Sequence, residues 1–322
     1  MKNLDNENVI TQTPKEAVPM AQEKQNDQAK AQKARRLRDS VEWLVKNIFF
    51  LCGIVAVASV LFISVYLVIS GLPAMLEIGV TDFLFGDTWD GKNGVYGILP
   101  FILTSFAGTG GAILIGVPVG VLTAMFLAKV ANHRLAVVIR SAVSLLAGIP
   151  SVVYGLVGMV VLVPTIQKAF HLSSGANLLA AIVVLTVMIL PSIINVAETA
   201  LRAVPKEYEE ASLALGATHT ETIFRVSLPA ARSGVATAIV LGVGRAIGEA
   251  MAIIMVSGNV PNMPGSLLTP VRFLTTAIAS EMNYATVGSL WRESLFSIAL
   301  VLFLFIMLIN VALNLFVKNK KE

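Results

Sequence analysis

The sequence predicts an all-α integral membrane protein with six transmembrane helices, on three observations. Of its 322 residues, 56% are hydrophobic and 14% charged, with a mean hydropathy of +0.77; ordinary soluble domains carry about 25% charged residues. Six apolar stretches are each long enough to cross a bilayer core, which takes about 20 helical residues because backbone amides must be satisfied within the segment. The charges gather at the ends of those stretches. The formal net charge of +4 therefore belongs to loops and a tail, not to a face that grips nucleic acid.

The first 40 residues are rich in Gln, Lys, Glu, Asn and Ala and nearly free of aromatics, so a disordered basic cytoplasmic tail is expected over 1–40. From Gln28 to Lys46, Leu37, Val41 and Leu44 recur at helical spacing, which suits an interfacial helix leading into the first span. A six-helix domain then follows over 41–322, with spans at 48–70, 97–128, 141–163, 177–196, 233–256 and 294–316. Cys52, the one cysteine, excludes an intrachain disulfide and reads as an apolar residue. Of the 24 Lys and Arg, 19 fall in the tail, the second and third inner loops and the C-terminal end. That bias places both termini in the cytoplasm of a multi-pass protein of the cytoplasmic (inner) membrane.

Between the first two spans, Gly86 to Asn93 nearly matches the phosphate-cradling loop G-x-x-x-x-G-K-[ST], but Asn93 stands where a magnesium-binding hydroxyl is needed and no strand precedes it. A polar turn is expected instead. Gly116 with Gly120, and Gly244 with Gly248, are pairs whose small size lets helices approach closely. Pro118, Pro150 and Pro191 interrupt three spans. His133, His171 and His219 lie on separate loops and no H-E-x-x-H occurs, so no metal site is expected, and with no G-x-S-x-G motif no catalytic residue is expected either.

The fifth span alone carries formal charge. Arg245 and Glu249 sit one helical turn apart and would share a face of a continuous helix. Charges at that depth face a bundle interior or a water-filled route. An anion pathway and an intrahelical pair that pins the helix are the two readings. The inner loop from Glu198 to Arg232 is written as a helical hairpin. Pro205 opens its first helix and Gly216 closes it; Thr218 with Glu221 forms a capping box for the second, and Pro229 stops it. Its mixture of Glu207, Glu209 and Glu210 with Leu213 and Leu215 points to a docking surface for a cytoplasmic partner, the alternative being a lateral connector.

Glu210-Ala211-Ser212, then Gly216, then Val226-Ser227-Leu228-Pro229 at that spacing resemble the EAA loop of permease subunits of binding-protein-dependent ABC importers. The stretches Ala147 to Gly155, Ile189 to Ser192 and Gly244 to Ala252 are similar to the phosphate-specific members, the C type more than the A type. The resemblance covers residues 35–320 and implies a type I ABC importer permease fold. It implies ATP-driven import of inorganic phosphate by alternating access, with Arg245 and Glu249 on the substrate pathway. Glu207, Glu209, Glu210, Ala211, Leu213, Leu215 and Gly216 would form the ATPase-coupling helix. Its implied partners are an A-type permease subunit, an ATP-binding subunit dimer, an extracytoplasmic phosphate-binding protein and membrane lipid. No cofactor would be bound by this chain, ATP being used by the partner ATPase. The outer segment Thr269 to Glu281, with Arg272, Ser280 and Glu281, would face the binding protein. An A-type subunit, a sulfate or molybdate permease, and a secondary anion transporter are the alternative readings, the last needing no docking hairpin.

Overall fold

The computed structural model describes the backbone of residues 17–318 and the side chains of residues 42–312. The chain divides into two compact units, residues 1–65 and 66–322. Most of the first unit is the start of helix α1 (Ala17–Ile78). The tail expected to be disordered through residue 40 is thus helical from Ala17 onward, in keeping with a composition rich in the strong helix formers Ala, Gln, Glu and Lys. Residues 1–16 lie outside the described residues. Between Trp43 and Val65 the large apolar side chains point outward, Phe49 and Phe62 each 72% exposed, which is the surface a helix in lipid presents.

Five helices are long and apolar enough to cross a membrane: Glu42–Ile78, Leu99–Val130, Ser151–Ala169, Leu178–Arg202 and Leu290–Ala312. A sixth crossing is a bent pair, His219–Ala230 and Arg232–Ile247, meeting at 74°. Two expected spans are broken. Residues 141–148 belong to an amphipathic helix, α4 (His133–Gly148), and the crossing begins afresh with α5 (Ser151–Val157) and ends in α6 (Val163–Ala169). Pro150 lacks an N–H and bars Ile149 from helical geometry. The Tyr154 hydroxyl donates to the freed carbonyl of Leu146 at 2.7 Å. The span expected over 233–256 is likewise two pieces, α11 (Arg232–Ile247) and α12 (Met251–Val256).

Helix α7 (Leu178–Arg202) is the most buried crossing, its hydropathic centre 61% enclosed. It packs against α3 (Leu99–Met125) because Gly116 and Gly120 admit it. A Cβ on either would lie 2.7 Å from Ile189 or 2.8 Å from Ile193. Gly242 of α11 meets the other side of Ile193 in the same way. The Gly244 and Gly248 pair touches no neighbouring helix. One glycine pair therefore seats a helix within this chain and the other faces open space.

On the far side from the hairpin, α2 (Val80–Phe85) leads into a two-stranded antiparallel ribbon, β1 (Trp89–Asp90) and β2 (Val95–Tyr96). Gly86 to Asn93 is the arm and turn of that ribbon. Asn93 donates its amide to Asp90 at 2.7 Å, and hydrogen bonds from Asn93 hold the Asp90 carboxyl below the usual range. The loop after α12 lies over the start of α7, where Asn177, Leu178 and Leu179 donate to the carbonyls of Val256, Thr269 and Leu267. It continues into α13 (Leu274–Glu281), and the last helix is α14 (Leu290–Lys318).

Candidate functional site

Arg245 is the fourteenth of the sixteen residues of α11, about 20 Å along the helix from Arg232 at 1.5 Å per residue. Its Nη1 donates to the Ser192 hydroxyl of α7 at 3.3 Å. Among the described residues no carboxylate pairs with it. Glu249, expected one turn on along the same face, lies instead in the break between α11 and α12. Its Oε1 accepts the amide of Ala252 at 2.9 Å, and its backbone carbonyl accepts the Thr275 hydroxyl at 2.7 Å. Both groups would have bonded within an uninterrupted helix; a side chain takes each over, so the interruption leaves them satisfied. The intrahelical ion pair of the alternative reading is absent from this arrangement. Arg245 is left as a cation at depth beside a hydroxyl, and Glu249 as the cap of a half-helix.

The hairpin forms as its local signals dictate. Helix α8 (Lys206–Ala214) follows Pro205, and Gly216 closes it at φ +86°, in the left-handed region that favours glycine. Thr218 and Glu221 form the reciprocal capping box at the start of α9 (His219–Thr222). The amide and hydroxyl of Thr218 hold the Glu221 carboxyl below its ordinary pKa. The second helix runs from His219 to Ala230, its last three residues being α10 (Leu228–Ala230); it ends one residue after Pro229, and the chain bends by 74° at Ala231.

Helix α8 has two faces. Glu209 and Ser212, three residues apart, point back into the protein: Glu209 is ion-paired with Lys129 and accepts the Ser227 hydroxyl at 2.9 Å, while Ser212 and Thr222 share a hydrogen bond of 3.0 Å. Burial pushes the Glu209 carboxyl up, but the bonds from Lys129 and Ser227 outweigh it and hold the group below its ordinary range. Glu207, Glu210, Ala211, Leu213, Leu215 and Gly216 are exposed, Leu215 at 90%. An exposed leucine among exposed glutamates is a surface suited to a protein partner. Sequence reasoning missed the anchor beneath the hairpin. Glu198, 4% exposed, accepts Arg140 Nη2 at 2.6 Å and Arg202 Nε at 2.8 Å, and Arg202 reaches the Leu127 carbonyl at 2.9 Å. The four-residue spacing of Glu198 and Arg202 was a readable signal; Arg140, 58 residues away, had none.

At the outer end the structure brings Arg272 and Glu281 together as an ion pair with side chains 14% and 16% exposed. Arg272 also donates to the Asn259 carbonyl at 2.8 Å, and the indoles of Trp89 and Trp291 donate to Glu281 at 3.0 and 2.8 Å. Ser280 is bonded to the Thr276 carbonyl of its own helix at 2.7 Å. Arg272 and Glu281 thus fasten the outer loops to one another, while Ser280 bonds only within its own helix.

The fold and site define a multi-pass membrane domain with an unpaired cation at depth and a protruding hairpin. Residues 116–321 match the family described as binding-protein-dependent transport system inner membrane component, and the chain belongs to that family. It is 41% identical over 267 residues to the "Probable ABC transporter permease protein YqgH" of Bacillus subtilis, covering 80% of this chain and 86% of that one. It is 35% identical over 246 residues to the "Phosphate transport system permease protein PstC" of Mesorhizobium japonicum, covering 70% and 75%. With the protein of that description from Haemophilus influenzae it shares 31% over 301 residues, covering 88% and 95%. Among solved structures, a bacterial alginate ABC transporter superposes with a TM-score of 0.55 at 17% identity, over 85% of this chain and 94% of that one. The MetNI methionine ABC transporter does so with a TM-score of 0.52 at 24% identity, over 69% and 93%. Those two likenesses concern the fold, which is that of the type I importer permeases.

Proposed function

We propose that this chain is the C-type permease subunit of an ATP-driven importer of inorganic phosphate, moving the anion into the cytoplasm by alternating access. The observation that carries the reading is Arg245, a guanidinium at bilayer depth with a hydroxyl and no carboxylate beside it. Its planar fork matches phosphate oxygens two at a time. Relatives described as phosphate transport system permeases support the choice of anion. Ser192 and the capped break at Glu249 position the guanidinium.

The chain works with an A-type permease, an ATP-binding subunit dimer and an extracytoplasmic phosphate-binding protein, and both of its termini face the cytoplasm. It catalyses no reaction and binds no cofactor; ATP is hydrolysed by its partner. Closure of the ATPase dimer moves α8 through its exposed face, and Glu209, Lys129 and Ser227 pass that movement to the Leu99–Val130 crossing. The work is done because the ATPase binds the two states unequally. Outside, the binding protein approaches the loops that Arg272 and Glu281 brace, with Ser280 on the same helix.

Glu210→Lys tests the reading, expressed with the partner subunits in cells lacking their own phosphate importer. Phosphate uptake and co-purification of the ATPase are expected to fall together. Unchanged uptake with unchanged association would remove α8 from the coupling interface and favour a secondary transporter.

A further inference from the structure

Along one side of α7 the residues are polar where lipid would require apolar ones. Ser192, Asn195, Thr199 and Arg202 recur at steps of three and four, which places them in one stripe of the helix. Ser192 and Asn195 are half-buried, and Thr199 and Arg202 are exposed. The Thr199 hydroxyl is satisfied by the Asn195 carbonyl at 2.8 Å. The side-chain amide of Asn195 has no partner among the described residues. Asn195 lies about 10 Å and Ser192 about 15 Å inward from Arg202, at 1.5 Å per residue. An amide unpaired at that depth is costly in hydrocarbon, so the stripe must meet water or a polar solute.

The stripe starts at the candidate site, because Ser192 is the residue that Arg245 touches. Gly244, the residue before Arg245, meets no other helix: beyond its own helix and chain neighbours, nothing lies within 4 Å of where a Cβ on it would stand. Resting on the importer reading, we infer that Ser192, Asn195 and Thr199 line the cytoplasmic leg of the anion's route, leading from Arg245 to a mouth at Arg202. Phosphate at neutral pH carries both O–H donors and oxygen acceptors, and an amide and two hydroxyls answer both. Without a fixed charge they replace part of the hydration shell and let the ion move on.

The test uses the assembled importer with Cys52, which is exposed and the only cysteine, changed to Ala. Single cysteines are then placed by Asn195→Cys, Thr199→Cys and, as a lipid-facing reference in mid-α3, Leu114→Cys, a position 77% exposed. A small charged thiosulfonate reagent is applied to membranes and its rate of labelling read at each position. Positions 195 and 199 are expected to label about tenfold faster than 114, since the reagent reacts only where water reaches, and excess phosphate is expected to slow both. Equal rates at the three positions overturn the inference. Phosphate uptake by the Cys52→Ala importer is read separately. Intact uptake with slow labelling at 195 removes the leg alone; fast labelling at 195 without phosphate uptake keeps the water-lined leg and removes the choice of anion.

Discussion

A guanidinium inside a membrane domain ordinarily has a carboxylate beside it, and Arg245 has a serine hydroxyl. Arg245→Gln is expected to abolish phosphate uptake while the partner subunits still co-purify. Loss of assembly in that variant would give the residue a structural role instead. Glu249 acts by a different means, as acceptor for the Ala252 amide across the break. Glu249→Ala is expected to cost about 1 kcal/mol, the usual value of a helix cap, in detergent unfolding. Glu249→Gln keeps an oxygen acceptor and is expected to stay nearer to wild type in both stability and uptake. That both residues stand out from their surroundings was legible, since charge in an apolar span is conspicuous. Their separation was not, because the amide and carbonyl freed at Glu249 are taken by side chains, one of them Thr275 from another helix.

Local signals determine the hairpin, which is why its helices, its glycine closure and its capping box were all readable. What escaped was which way α8 faces. Of the glutamates in Glu207 to Glu210, Glu209 turns inward because Lys129, 80 residues earlier, is there to meet it. The ion pair makes the hairpin's attachment depend on pH. The Glu209 pKa is depressed, so the contribution is complete above the ordinary glutamate value of about 4.5 and is lost as pH falls through the lower, folded value. The protection of α8 amides against exchange, relative to the unstructured rate at each pH, is expected to be constant from neutral pH down to about 5 and to fall below that. Lys129→Met should remove this dependence. The contact of α3 with α7 is a second element-scale feature, visible in advance as a glycine pair. Gly120→Leu overpacks it against Ile193 and is expected to destabilise the domain by about 3 kcal/mol, read by thermal aggregation in detergent.

For the molecule as a whole, hydropathy gave the number of crossings but not their breaks: Pro150 marked one in advance, Pro118 and Pro191 stay inside unbroken helices, and the break at 248–250 carried no proline. A sliding count of apolar residues is blind to both breaks, since apolar residues flank each of them and the lone Glu249 barely lowers the average. The outer loops form one braced cap through Arg272, Glu281, Trp89 and Trp291. Arg272→Glu sets two carboxylates against each other there and is expected to cost about 3 kcal/mol, with faster proteolysis of the outer loops; adding Glu281→Arg should recover part of the loss. The break after α11 bears on the time a phosphate stays bound. Arg245 stands in the last turn of that helix, whose terminal carbonyls together present about half a negative charge. In the proposed importer, an anion held by the guanidinium would feel the opposing field of the helix end behind it. Its dwell time would shorten, making the residue a stepping stone for the ion and not a trap.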